Sequence, residues 1–160
     1  MIALSLLLLL LGRVSVQEGV RSTVHLVEVA RLPPSDRQGM EPPAKDGIRF
    51  VFVAIRKSGF PGLATLTETR SFEVDGRPYP APGHPRSEPE TVLYDLAKFR
   101  QTIRPDLRDN LPDAPAADSM VIVVSIGGAE LSADARAKVK FSWGWNDVTE
   151  DFRFDFEVPT

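Results

Sequence analysis

The chain reads as an all-β protein, an antiparallel β-sandwich with one short inserted helix. Three observations carry that reading. The first is the run at residues 137–158, AKVKFSWGWNDVTEDFRFDFEV, which alternates apolar and polar residues twice. The second is a pair of short runs, IRFVFVAI and MVIVVSI, apolar on both parities and bounded by turn residues. The third is the absence of any βαβ alternation or repeat period, with Pro- and Gly-rich turns between the runs.

The terminal run is the most informative. Val139, Phe141, Trp143 and Trp145 share one parity, and Phe152, Phe154, Phe156 and Val158 share another. Successive side chains of a strand point to opposite faces, so each half is a strand with one apolar side. A hairpin turning at Asn146 to Asp151 sets Trp145 opposite Phe152, Trp143 opposite Phe154, Phe141 opposite Phe156 and Val139 opposite Val158. It also sets Lys140 across from Glu157 and Ser142 across from Asp155. A slip of one residue would turn one aromatic row to water. Eight large apolar groups at roughly 1.5–3 kcal/mol each give an upper bound of roughly 12–24 kcal/mol for their burial. A lone hairpin cannot cover such a face, so a second sheet must lie against it.

The other elements follow in order. Residues 2–11 form an apolar run closed by Gly12 and Arg13. It is too short to span a bilayer core of roughly 30 Å as a helix, and its length suits the apolar core of an export signal. No Lys or Arg precedes it and no small-x-small cleavage site follows, so an uncleaved N-terminal anchor or a misplaced start is the alternative. Residues 1–19 are therefore assigned to an export signal or hydrophobic segment, and 20–160 to one sandwich domain. Residues 19–31, with Val24, Leu26, Val27 and Val29, read as a first strand at a sheet edge. Residues 32–47 hold two Pro-Pro pairs and Asp46-Gly47, and read as an exposed loop. Residues 48–55 are the expected sheet centre, buried on both faces. Lys57 to Gly62 is a turn. Residues 63–74 alternate Thr and Ser with apolar residues, a half-buried strand ended by Asp75-Gly76. Residues 78–89 carry five prolines and read as loop.

Residues 90–104 are the exception. Val92, Leu96, Phe99 and Ile103 recur at helical spacing, Ser87 and Glu90 suit a capping box, and Pro105 stops the run. The spacing predicts a short amphipathic helix packed on the sandwich; a strand through Val92, Tyr94 and Leu96 is the competing reading. Residues 106–119 read as loop and 120–126 as a second doubly buried strand ended by Gly127-Gly128.

Taken together, an edge strand, a Pro/Gly-rich loop, the GIRFVFVAI strand, a strand ending FEVDGRPY and a closing FRFDFEVP resemble the immunoglobulin-like domains of bacterial exported proteins and lipoproteins, typified by the mycobacterial secreted antigen of that fold. The resemblance covers residues 24–79 and 121–159, while residues 90–104 depart from the pattern and no lipobox cysteine is present. The function of that group is largely unknown. The resemblance implies that the antiparallel sandwich is immunoglobulin-like and that the chain is exported, and offers no catalytic residue.

Composition narrows the chemistry. The chain has 160 residues and no cysteine, which excludes disulfides, thiolate metal sites and cysteine nucleophiles. A net charge of −3 is not the footprint of a nucleic-acid binder. The Arg-weighted cations and frequent proline suit a G+C-rich genome and many loops. With no Asn-x-Ser/Thr sequon either, an exported domain of this kind looks bacterial.

Candidate site residues are few. His25 and His84 lie in unrelated segments, and a zinc site would need both plus carboxylates. Ser125-Ile126-Gly127-Gly128 and Lys57-Ser58-Gly59 are better read as strand-ending turns than as nucleophile elbows. Asn146, Asp147, Glu150 and Asp151 offer hard oxygen ligands for calcium, without EF-hand spacing; a solvated hairpin tip is the plainer account. Trp143-Gly144-Trp145 invites a sugar-stacking platform, yet both indoles share parity with Phe141 and point to the core. A glycosidase pair would need two carboxyls about 5–9.5 Å apart in a cleft. The resulting expectation is a secreted or periplasmic, non-enzymatic binding or structural module with no catalytic, cofactor or metal residues. Its partner would be an unknown protein or envelope component, reached through loops 32–47 and 78–89. Nucleic acid is not expected, and a membrane only through an uncleaved N-terminal segment. A small β-sandwich hydrolase or carbohydrate-active domain and a calcium-stabilised module are the alternatives.

Overall fold

The computed structural model describes residues 15–32, 47–57, 64–74, 76–79, 90–126, 136–145 and 148–158. Residues 1–14, 33–46, 58–63, 75, 80–89, 127–135, 146–147 and 159–160, among them the N-terminal apolar run and Asn146 and Asp147, lie outside the described residues. No helix among the described residues is long and apolar enough to cross a membrane.

Two antiparallel sheets make the sandwich. The larger is ordered β1 (Ser15–Glu18), β2 (Ser22–Leu32), β3 (Gly47–Arg56), β7 (Ser119–Ile126), β6 (Glu90–Tyr94). The smaller is ordered β5 (Arg77–Tyr79), β4 (Ala64–Val74), β8 (Arg136–Trp145), β9 (Val148–Glu157). The strand expected at the edge, β2, is second from it, because β1 pairs outside it with Ser15 opposite Leu26 and Glu18 opposite Thr23. β1 thus occupies part of the segment read from sequence as a leader.

The two strands expected to be buried on both faces stand side by side in the larger sheet, β3 at its centre. Toward the smaller sheet, Ile48, Phe50, Phe52 and Ala54 of β3 join Val24 and Leu26 of β2 and Ile122, Val124 and Ile126 of β7. Opposite them lie Ala137 and Val139 of β8, Phe152, Phe154 and Phe156 of β9, and Val158. Phe50 meets Phe156 edge-on at 5.5 Å and Phe52 meets Phe154 at 5.2 Å. The phenylalanine row of the terminal ribbon therefore faces inward onto a second sheet, as the alternation requires.

The register of that ribbon differs from expectation. Phe141 lies opposite Phe152 and Val139 opposite Phe154, a shift of four residues, with Lys140 opposite Arg153 and Ser142 opposite Asp151. β9 begins at Val148, so most of the loop expected up to Asp151 is strand. Pattern parity excludes odd slips and is silent on even ones; the shorter turn, pairing Trp145 with Val148, decides among the even ones.

The expected helix at 90–104 is divided. Residues 90–94 form β6 and pair with β7, Tyr94 opposite Val121. The helical turn α1 (Leu96–Lys98) starts after Asp95, whose carboxylate accepts the Lys98 N–H at 2.9 Å. Asp95 is the cap, not Ser87, because β6 pairing consumes the residues before it. The helix continues as a π turn, Phe99–Ile103, closed by the Arg104 N–H on the Phe99 carbonyl at 2.8 Å. Pro105 ends it and opens a 3-10 helix, Pro105–Asn110. A second 3-10 turn, Ala116–Asp118, follows in the segment read as loop.

This helical segment is a third layer. Leu96, Phe99, Leu107 and Leu111 pack on Val51 and Val53 of β3 and Val121 of β7, the outward faces of the two central strands. The apolar residues these strands carry on both parities thus have a separate core on each side. On the other sheet, Gly76 with φ +76° makes the turn from β4 to β5. Pro78, expected in a loop, sits in β5, an edge strand where a missing N–H costs no ladder bond.

Candidate functional site

Among the described residues two carboxylates, Glu28 and Glu150, each gather several converging donors, and both join parts of the chain far apart in sequence. The first is Glu28. The β2–β3 ladder carries a bulge between Leu26 and Glu28, after which Val27 packs with the helical layer and Val29 with the inter-sheet core. The bulge re-aims the strand so that Glu28 meets Arg49, which lies on the outer face of β3 between the inward Ile48 and Phe50. Arg49 donates from Nε and Nη2 to Glu28 Oε1 at 3.0 and 2.9 Å. Arg104, brought in by the π turn, donates from Nη1 to Oε1 at 3.1 Å and from Nη2 to Oε2 at 2.6 Å. Arg104 also holds Asp106 through Nε and Nη2, each at 2.9 Å.

The Glu28 side chain is 17% exposed. Burial pushes its carboxyl up, but the hydrogen bonds from Arg104 and Arg49 outweigh that and hold it below the ordinary carboxylate range. The Arg104 fork likewise holds Asp106 down, and the two carboxylates push the Arg104 guanidinium further up. Both carboxylates are ionised at neutral pH and already accept from arginine. Such groups fasten; a general acid needs its proton held to higher pH.

The second is Glu150. Register places it on the inward parity of β9, opposite Trp143 and in line with Phe152, Phe154 and Phe156. Its carboxylate crosses to the β1–β2 turn of the other sheet. Oε1 accepts the N–H of Val20, the Arg21 N–H reaches Oε1 and Oε2 at 3.0 Å each, and Ser22 donates to Oε2 from N at 3.1 Å and from Oγ at 3.2 Å. A Cβ on Gly19 would sit 2.7–2.9 Å from the carboxylate atoms, so a side chain at this position would push the Glu150 carboxylate out of its present place.

The residues singled out by sequence are scattered. Glu150 is taken by the β1–β2 turn, whereas Asp151, on the opposite face of β9, lies 3.9 Å from Lys140. Among the described residues no three His, Cys, Asp or Glu come together as metal ligands. His25 stands between Val16 and Val53, half-buried. Burial pushes its imidazole down, and the Glu18 charge partly offsets that. His84, Ser58, Gly59, Gly127 and Gly128 lie outside the described residues, as do the side chains of Trp143 and Trp145. Lys57 binds Glu18 at 2.6 Å and its N–H bonds the Arg21 carbonyl at 2.8 Å. Sequence reasoning passed over Glu28, Arg104 and Gly19. One signal for Glu150 was present: it is the single polar residue on the parity that otherwise reads Phe152, Phe154, Phe156, Val158.

No protein-family model matches the sequence, and no curated protein matches it. Among solved structures the chain is similar to the GAE domain of GGA2p from Saccharomyces cerevisiae, at 12% identity and a TM-score of 0.34, over 91% of this chain and 97% of that one.

Proposed function

We propose that this chain is an exported, non-enzymatic binding or structural module of the cell envelope or extracellular space, akin to the immunoglobulin-like domains of bacterial exported proteins. The observation that carries this reading is the Glu28–Arg49–Arg104–Asp106 cluster. It commits Glu28 to holding the helical layer on the larger sheet, and Asp106 to the Arg104 guanidinium that makes that link. Export is supported by the apolar run at 2–11 and by a cysteine-free sequence.

Two assays test the two halves of this reading. Fusing residues 1–19 to a reporter active only outside the cytoplasm gives signal if the segment directs export, and none if it does not. Chromogenic glycosides and esters offered to the wild type and to Glu28→Gln give no turnover above blank in either. Turnover that falls in Glu28→Gln would replace the binding module with a small hydrolase.

A further inference from the structure

The geometry points to a carboxylate-binding site in the β1–β2 turn that Glu150 occupies from within the chain, so that an external carboxylate binds there in competition with Glu150. Three consecutive backbone N–H groups, of Val20, Arg21 and Ser22, converge on one carboxylate, with the Ser22 hydroxyl as a further donor. Successive amides aimed at one point form an anion nest, whose partial charges favour a small anion without any cationic side chain. The site is shaped as well as polar. Gly19 is not in the left-handed backbone region, and the Glu150 carboxylate stands within 2.7–2.9 Å of where its Cβ would be.

The occupant is separable from the receptor. The nest belongs to the larger sheet, and Glu150 reaches it from β9 of the smaller sheet, 128 to 130 residues away in sequence. Val20 is 74% exposed, so the turn is open to solvent on one side. In the native chain Glu150 is present at the high effective concentration of a tethered ligand, which excludes a dilute external one. The chemistry admits a monocarboxylate on a small or flexible group, and only after Glu150 leaves. This site does not depend on whether the domain is exported or inert as an enzyme.

Acetate is the probe, with sodium chloride at matched ionic strength as the control. In Glu150→Ala, acetate moves the amide resonances of Val20, Arg21 and Ser22 along a saturable curve. It raises Tm by about 3–6 °C at ten times its Kd. The wild type shows neither response. Adding Gly19→Ala to Glu150→Ala removes the response, since the new methyl fills the pocket. Amides of Glu150→Ala that ignore acetate, a wild type that responds equally, or an undiminished response in the double variant would each overturn the assignment. Should Glu150→Ala fail to fold, Glu150→Gln decides. It keeps the side-chain length with one acceptor oxygen, so the three amide protons move upfield in a folded protein, and unmoved resonances reject the nest.

Discussion

Glu28 and Arg104, 76 residues apart in sequence, share two hydrogen bonds across the outer face of the larger sheet, at 3.1 and 2.6 Å. With Arg49 on the same carboxylate, they fix the end of the helical layer to the two strands beneath it. Replacing Glu28 by Gln leaves two guanidinium groups facing a neutral amide in a largely buried position. The expected loss of stability is about 2–4 kcal/mol, lowered from the fully buried case by residual exposure. Urea denaturation measures it, and a change below about 0.5 kcal/mol would show the cluster to be ornamental.

The same groups set the pH dependence. Glu28 and Asp106 have folded-state pKa values below their ordinary ones, so the unfolded chain binds more protons as pH falls. Their contribution is complete above the ordinary carboxylate range and is lost as pH drops through the folded values. His25, pushed down by burial, acts in the same direction from a higher starting point: below about pH 6.5 its unfolded form takes up a proton first. Stability should therefore decline in two stages on acidification, and His25→Gln should remove the earlier one. A profile flat from pH 7 to 5 that falls no further below pH 4.5 would contradict both assignments.

Phe99 joins the helical layer to the strand that precedes it. Its ring is buried, 5.5 Å from that of Tyr94, and packs with Leu96 in the outer core. Phe99→Ala should cost about 3–5 kcal/mol. Amide exchange at Lys98 and Arg104 should accelerate more than at Val121, because the layer loosens before the sheet beneath it. Uniform acceleration would show that the layer and sheet unfold as one unit.

The terminal ribbon shows what a sequence pattern determines and what it leaves open. Alternation placed Phe152, Phe154 and Phe156 on the inward face, and double-parity apolar runs located β3 and β7, because burial acts on side-chain direction. It did not determine register, since a shift of four preserves every inward residue. Cross-strand contacts between the α-protons or side chains of Val139 and Phe154 check this by NMR; contacts joining Phe141 to Phe156 would restore the longer turn.

Elsewhere the missed features depend on distant partners. Residues 90–94 carry the helical stripe of 90–104, yet pairing with β7 takes them into the sheet, leaving Val92 and Leu93 39% and 40% exposed. Glu28 reads locally as an ordinary polar residue until a bulge and a π turn bring two arginines to it. Gly19 reads as a strand boundary until Glu150 arrives from the other sheet.

The measurement that bears most directly on this account is a carbon-13 NMR titration of the Glu28 side-chain carboxyl in the folded protein. A carboxylate engaged as a fastener by Arg104 and Arg49 titrates below its ordinary value of 4.5. A midpoint raised toward 6 or above would mean that the group keeps a proton to donate, as roughly expected of a general acid, and the structural reading of this cluster would fail.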